Sequence, residues 1–322
     1  MKQILAKILI TVSAGMMVMS TVLMTRQVEP FHSIYFLFAW WSYIGMADGW
    51  LYLTGGDSLF IGNIVEFITF LVPLSAVLWF FFEAFNLRLN NWHYVGVHPD
   101  VWIRWPGYFL AFGTVLPGIF LTANLLDHLG ILRKNEFSQF FAEAPSKMFM
   151  RMNIAGGLAM MSLSLLVPRY CFPLVWGGMV LLLDPINAAW GGRSLLQEWR
   201  QGNWTRTFQL LLAGAICGGL WELWNFWAGA KWVYSVPLPD WLLRDLKIFE
   251  MPLLGFLGFP PFALECFVMA ESARLAKDRL SPTAWKVCVA AALIFSLAMC
   301  RQIDLHTISS YRANPDRVSS FR

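Results

Sequence analysis

About nine apolar segments, each close to twenty residues long, follow one another along this chain of 322 residues. A run of about 20 apolar residues is what an α-helix needs to cross the hydrocarbon core of a bilayer. The segments lie at 4–24, 34–54, 60–86, 107–126, 152–168, 171–190, 207–228, 250–270 and 283–300. The sequence therefore predicts an all-α integral membrane protein with about nine transmembrane helices.

Composition supports a membrane protein and argues against several other classes. Charged residues make up 14% of the chain, whereas a soluble domain has about 25%, so a bilayer must cover the apolar surface. The net charge of +4 is small and dispersed, which argues against nucleic-acid binding. The five cysteines show no CxxC spacing, so we expect neither disulfides nor zinc. We expect no metal and no cofactor.

The N-terminal segment is expected to be a retained first helix, because no small-x-small cleavage site precedes Gln27. A cleaved signal peptide is the alternative. Lysine and arginine are more numerous in the loops on the N-terminal side of the predicted membrane. This distribution favours a cytoplasmic N-terminus in an inner or plasma membrane of the bacterial type.

A duplicated motif is the strongest organisational signal. Each copy has a Glu and an Asn three residues apart, followed by a Trp and a Tyr two residues apart. The copies are Glu83, Asn86, Trp92 and Tyr94, and Glu222, Asn225, Trp232 and Tyr234. An acid on the preceding segment accompanies each copy, Asp48 in the first and Asp184 in the second. Four segments separate the copies, which predicts parallel repeats related by an axis along the membrane normal.

The duplication predicts four parts of the chain. They are a first membrane repeat over 1–130, a connecting loop over 131–151, a second membrane repeat over 152–280, and a C-terminal helix with an Arg- and Ser-containing tail over 281–322. The alternative is that each copy keeps the shared residues for packing alone.

Carboxylates inside membrane segments are costly, which makes each one a candidate for function. We expect Glu222 and Glu250 to be catalytic, since a buried neutral carboxyl can donate a proton. Glu250 opens the eighth segment, where prolines and glycines predict a broken helix that lines a cavity. An interhelical hydrogen bond is the alternative role for these acids. Lys231 is expected to pair with Glu222 or Glu250, and Arg104 to extend toward the membrane interface.

The chain is rich in tryptophan, with 17 residues, more than anchoring at two interfaces needs. Aromatic faces accommodate flat, unsaturated ligands. We therefore predict a substrate-binding set of buried acids, amides and aromatic residues. Its members are Trp221, Trp224, Asn225, Trp227, Trp232, Tyr234, Asp184, Glu265, Glu83, Asn86 and Asp48.

Three stretches around the seventh and eighth segments share a layout with a known family. They are 221–225 (WELWN), 232–234 (WVY) and 248–257 (IFEMPLLGFL). In this layout the chain resembles the membrane-embedded lycopene cyclase domain family and, more loosely, the membrane carotenoid hydratases. The resemblance implies a shared helical architecture and an isoprenoid-like ligand. The paired acids of that family, which protonate the polyene, fall at Leu254 and Gly255 here, and Glu250 is our candidate replacement.

These features leave three functions open. The first is binding or transformation of a long apolar lipid, isoprenoid-like, by cofactor-free acid/base chemistry, with tryptophans stabilising positive charge. The second is a non-catalytic membrane subunit or scaffold that assembles with partner membrane subunits. The third is a proton-coupled secondary transporter, which parallel repeats and broken helices would also suit.

Overall fold

The computed structural model describes residues 1–133, 146–237 and 246–308, most of which are helical. The main helices are α1 (Lys2–Thr25), α2 (Tyr35–Thr54), α3 (Ile64–Leu89), α4 (Val101–Phe112), α5 (Val115–His128), α6 (Lys147–Leu166), α7 (Gly178–Ala189), α8 (Leu195–Arg200), α9 (Thr205–Trp227), α10 (Phe259–Arg279) and α11 (Pro282–Gln302). The strands are β1 (Trp92–Val95), β2 (Lys231–Tyr234), β3 (Lys247–Ile248) and β4 (Met251–Pro252). A turn of π-helix, Ile303–Thr307, follows α11.

Within the described ranges, eight helical segments are long and apolar enough to cross a membrane. The chain is therefore a multi-pass membrane protein. Eight of the nine predicted spans have a counterpart among these segments, and the remaining one is α2. This helix has the required length, but it carries Asp48 and many Trp and Tyr residues, and half of its residues are buried. A helix of this kind is enclosed by protein on several sides, so a count of nine spans stays a prediction.

The described residues form two compact units. Unit 1 comprises the described residues within 1–121, 219–255 and 294–308, and unit 2 comprises those within 122–218 and 256–293. The predicted boundaries at 130, 151 and 280 describe repeats along the sequence, and they stay a prediction. In unit 2, α7 packs against both α6 and α10.

Small residues bring α1 and α2 together in unit 1. A Cβ atom added to Gly49 of α2 would lie 3.0 Å from the backbone oxygen of Ala6 in α1. Such close approach is how membrane helices gain packing contacts in the absence of a hydrophobic driving force. Helix α2 also carries Trp40, which is fully buried.

The two copies of the motif meet in an antiparallel ribbon. Strands β1 and β2 pair so that Trp92 lies opposite Tyr234 and Tyr94 lies opposite Trp232. The all-α prediction missed this ribbon because each strand is only four residues long. So short a segment gives no period-2 pattern long enough to distinguish it from a loop.

The eighth predicted helix begins later than predicted. The prediction placed a helix over 250–270, whereas the structure has a hairpin of β3 and β4 with Phe249 and Glu250 at its turn. A 3-10 segment, Leu253–Gly258, follows, and α10 begins at Phe259. Two prolines lie in the first turn of α10, where a missing N–H breaks no helical hydrogen bond. Glu250 therefore belongs to a turn, not to a helix.

Candidate functional site

The Asn of each motif ties the end of its helix to the strand that follows. Asn86 Nδ2 donates to the backbone oxygen of Trp92 at 2.8 Å, and Asn225 Nδ2 donates to that of Trp232 at 2.8 Å. Each amide oxygen accepts from the N–H of the same Trp, at 3.3 and 2.9 Å. The spacing from Asn to Trp thus fixes where each strand begins. These contacts account for both amides, and their predicted part in substrate binding stays a prediction.

The Glu of the first motif collects three hydrogen bonds on one oxygen. Glu83 Oε1 accepts from Trp79 Nε1 at 3.0 Å, from Trp92 Nε1 at 2.9 Å and from the Tyr94 hydroxyl at 2.6 Å. All three donors are aromatic side chains, so polar contact and apolar packing come from the same residues. The Trp-x-Tyr pattern of the sequence therefore supplies two of the donors for the Glu of its own motif.

The second motif makes a related but sparser arrangement. Glu222 Oε1 accepts from the Tyr234 hydroxyl at 2.7 Å, and that hydroxyl accepts from Trp232 Nε1 at 2.8 Å. One turn before Glu222, the position that Trp79 holds in the first motif is Gly218. A side chain there would overlap the ring of Phe259. Glu222 therefore lacks the indole donor that Glu83 has one turn earlier.

Both glutamates leave their other oxygen without a partner. Each is 0% exposed, and Oε2 of each has no hydrogen-bond partner among the described residues. Acceptance of every bond on one oxygen is the pattern of a neutral carboxylic acid, whose carbonyl oxygen accepts while its O–H remains a donor. An ionised carboxylate with one bare, buried oxygen would be strongly destabilised. The geometry thus gives Glu83 and Glu222 the form of buried proton donors.

The ribbon places the aromatic donors of both motifs on one face. Residues two apart in a strand point to the same side, and directly opposed residues of an antiparallel pair share that side. The Cβ atoms of opposed pairs lie about 5 Å apart. The two glutamates consequently bind the same face of the ribbon, the face of Trp92, Tyr94, Trp232 and Tyr234.

Further aromatic rings pack around the second motif. The Trp40 ring lies 5.5 Å from that of Trp221 and 4.9 Å from that of Trp224, and Tyr43 lies 6.0 Å from Trp224. The Nε1 atom of Trp40 is buried and has no hydrogen-bond partner among the described residues. Trp221 and Trp224 belong to the predicted set, and the structure adds Trp40 and Tyr43 as their ring neighbours; a part of these rings in substrate binding stays a prediction. Trp227, also in that set, is 52% exposed, and its predicted role stays a prediction.

Glu250 is the partner of Lys231. The Lys231 ammonium also lies over the Phe226 ring, 5.2 Å from its centroid. Phe249, which precedes Glu250, has a φ of 57°, a left-handed conformation that is strained for an aromatic residue. Glu250 belongs to the same unit as Glu222. The two predicted catalytic acids therefore lie in one unit, one among aromatic donors and the other beside a cation.

The two aspartates of the predicted set each bind a turn ten residues further along the chain. Their carboxylates accept from a serine hydroxyl and from successive backbone N–H groups. The donors are Ser58, Leu59, Phe60 and Ile61 for Asp48, and Ser194, Leu195 and Leu196 for Asp184. All four carboxylate oxygens have partners, which accounts for both residues structurally. Their role in ligand binding stays a prediction.

Glu265 lies in unit 2, where Oε1 accepts from the backbone N–H of Met179 at 3.0 Å. This contact caps the beginning of α7, where a helix has free N–H groups. Its Oε2 is buried without a hydrogen-bond partner among the described residues. Its predicted role in substrate binding stays a prediction.

A bidentate ion pair holds the C-terminal end of the described chain. Arg104, which was expected to extend to the interface, binds Asp304 through Nε at 2.8 Å and Nη2 at 2.6 Å. Trp105 Nε1 and the Tyr108 hydroxyl donate to the same carboxylate at 2.9 and 3.1 Å. The Arg104 side chain is 8% exposed and the Asp304 side chain is 17% exposed. The sequence did not reveal this partner because it lies 200 positions away, and the extension of Arg104 toward the membrane interface stays a prediction.

Among the described residues, no group of three or more His, Cys, Asp or Glu side chains is arranged to hold a metal ion. The chemistry that the cluster around Glu222 can perform is proton transfer in an aromatic environment.

No protein-family model, no curated protein and no solved structure matches this chain.

Proposed function

We propose that this protein binds a long apolar lipid, isoprenoid-like, and transforms it by cofactor-free acid/base chemistry at Glu222. The observation that carries the proposal is the buried Oε2 of Glu222, which has no hydrogen-bond partner among the described residues. Trp221 and Trp224, with Trp40 packed on them, supply aromatic faces in the same unit.

In the proposed reaction Glu222 is the acid and Glu250 is the base. The O–H proton of Glu222 adds to one carbon of a double bond, and the neighbouring carbon becomes a carbocation. Aromatic faces stabilise such a cation by about 0.5–2 kcal/mol each. The Glu250 carboxylate, paired with Lys231, removes a proton from an adjacent carbon, and a new double bond forms. The proton then returns from Glu250 to Glu222, so that atoms and charge balance.

One sequence feature and one structural feature support this proposal. The resemblance to the lycopene cyclase domain family covers the residues around Glu222 and Glu250. The different surroundings of the two carboxyls also suit separate acid and base roles, because paired catalytic acids work when their environments favour opposite protonation states. Glu83 has an additional donor from Trp79, which favours Glu222 as the reactive copy.

We infer in addition that the chain consists of two parallel repeats. The inference is supported by matching contacts: Asp48 and Asp184 each bind a serine ten residues on. Asn86 and Asn225 each close on the first Trp of a strand. We place the protein in a plasma or inner membrane of the bacterial type, with its N-terminus on the cytoplasmic side.

The test is to purify the protein gently, extract its apolar ligands, and identify them by mass spectrometry. The extracted lipid is then returned to the protein in D₂O. We expect incorporation of solvent deuterium at carbon by the wild type and by Glu29→Gln, an exposed control. We expect incorporation to be lost in Glu222→Gln and strongly slowed in Glu250→Gln. Unchanged incorporation in both variants would exclude the assigned roles.

A ligand-holding membrane subunit is the second candidate. It is favoured by the extensive hydrogen bonding of both motifs to their own ribbon, which suits a rigid binding scaffold. The same experiment distinguishes it: a stoichiometric lipid with no deuterium incorporation, together with a stoichiometric partner chain, would favour the subunit over the enzyme.

A further inference from the structure

A second buried acid shares the features that single out Glu222. Glu83 is fully buried, its Oε1 accepts three hydrogen bonds, and its Oε2 has no hydrogen-bond partner among the described residues. A buried carboxyl O–H that has no hydrogen-bond acceptor is stabilised when a bound molecule supplies one. The aromatic rings near Glu83 could surround an apolar molecule, since Trp79 also packs against Trp92 and Phe112 at 5.9 and 6.1 Å.

The segment 303–308, which we call the C-terminal strap, packs against the elements that hold Glu83. Its π-helical turn lies against both α3 and β1. Ile303 and Ile308 at its two ends are 0% and 4% exposed. Ile308 forms a parallel β-bridge with Tyr94, the residue whose hydroxyl binds Glu83. The strap thus packs along the edge of β1 and against α3, and it is joined directly to a donor of the acid.

One ion pair fastens the strap. Asp304 binds Arg104 of α4 in bidentate fashion and also accepts from Tyr108. The Tyr108 ring lies 6.2 Å from the Tyr94 ring. Ile308 therefore contacts Tyr94 directly, and Asp304 binds Tyr108, whose ring neighbours that of Tyr94. If Asp304 is released, the strap loses its ion pair beside the elements that hold Glu83.

We propose that Glu83 is a second proton-donor site, for an apolar molecule that carries a proton-accepting group, and that the C-terminal strap closes this site. The proposal rests on the same bonding pattern as the proposed function but requires no activity at Glu222. The strap distinguishes the two acids, because the strap residues bind the first motif through Tyr94.

The test uses dicyclohexylcarbodiimide, an apolar reagent that reacts with protonated carboxyls. The carboxyl O–H adds across one C=N bond, and acyl transfer to nitrogen then gives a stable N-acylurea that mass spectrometry locates. The full-length protein in lipid nanodiscs is compared with Asp304→Asn, with the milder Tyr108→Phe, and with Arg133→Gln as a control at an exposed ion pair.

Strap opening is followed separately by alkylation of Cys300, which is buried and lies four residues before Asp304. All four proteins carry Cys288→Ser, because Cys288 is exposed.

We expect slow modification of Glu83 in the wild type and in the Arg133→Gln control. In Asp304→Asn the rate should rise about 100-fold, the factor that corresponds to the ~3 kcal/mol lost when one partner of a buried ion pair is removed. Tyr108→Phe, which removes one hydrogen bond to a charged group, should raise the rate about tenfold. Cys300 alkylation should accelerate in parallel.

Two results would overturn the proposal. Equal modification of Glu83 in the wild type and both strap variants would show that the strap closes nothing. Absence of Glu83 modification, while Cys300 reports an open strap, would show that Glu83 is not an available proton donor. If Asp304→Asn fails to fold, Tyr108→Phe alone decides. Modification of Glu222 is read in the same spectra, so an inert Glu222 would count against the proposed function without affecting Glu83.

Discussion

Asp304→Asn removes the negative charge that Arg104 binds in the described fold, and its effect on stability can be estimated from the geometry. Both side chains are largely buried, at 8% and 17% exposure, and they make two short hydrogen bonds. Loss of one partner from such a pair costs about 3–5 kcal/mol, because the remaining charge loses its counter-charge while buried. Arg104 Nη1 keeps its hydrogen bonds to the backbone oxygens of His98 and Pro99, so we expect the lower end of this range. Trp105 and Tyr108 also lose a charged acceptor.

The assay is unfolding by SDS in mixed micelles, followed by tryptophan fluorescence. The matched control is Arg133→Gln, because the Arg133–Asp127 pair is 54% and 44% exposed and such pairs contribute at most about 1 kcal/mol. The double variant Arg104→Met/Asp304→Leu should be more stable than either single variant, since no charge is left unpaired. If Asp304→Asn costs no more than Arg133→Gln, the buried pair does not hold the C-terminal strap and the argument is refuted.

Three further predictions follow from local contacts. Asn225→Ala should destabilise the protein by about 1–3 kcal/mol, because Asn225 makes two buried hydrogen bonds to the start of β2; an unchanged unfolding midpoint would contradict this. The Phe249 ring packs 5.5 Å from that of Phe226, and both Phe249→Gly and Phe249→Ala lose this contact. Phe249→Gly should nevertheless be about 1 kcal/mol more stable than Phe249→Ala in the same assay, since only glycine adopts positive φ without strain; equal stability of the two variants would count against a strained turn. Burial raises the pKa of Glu198, with Arg206 opposing, so its protonated form favours folding at low pH and that contribution is lost as pH rises. Glu198→Gln should therefore stabilise the protein at neutral pH, and the gain should vanish below the ordinary value of 4.5; a gain independent of pH would refute the assignment.

The sequence indicated the membrane class and the motif residues because both depend on local pattern. Apolar segments of span length predict helices wherever they lie. The Glu, Asn, Trp and Tyr of each motif are within twelve residues of one another, and the structure connects them through hydrogen bonds inside each copy. A repeated spacing was therefore enough to identify residues that contact one another.

Contacts between distant parts of the chain were beyond the sequence. Trp40 packs on Trp221 across about 180 positions, and Asp304 binds Arg104 across 200. The pairing of β1 with β2 is equally remote. Without a fold, nothing distinguishes such residues from others of the same type. The hairpin turn at Glu250 was missed for a different reason: prolines fit both a broken helix and the first turn of an ordinary one.

The most direct test of the central claim is infrared spectroscopy of the protein at neutral pH, comparing the wild type with Glu222→Gln. A neutral Glu222 has a carboxylic-acid C=O stretching band that shifts on exchange into D₂O. We predict that the difference between the wild-type and Glu222→Gln spectra contains one such band, while the band of Glu83 remains in the variant and Glu29→Gln leaves the spectrum unchanged in this region. Loss of carboxylate bands alone would show that Glu222 is ionised, and it would contradict the assignment of Glu222 as the proton donor.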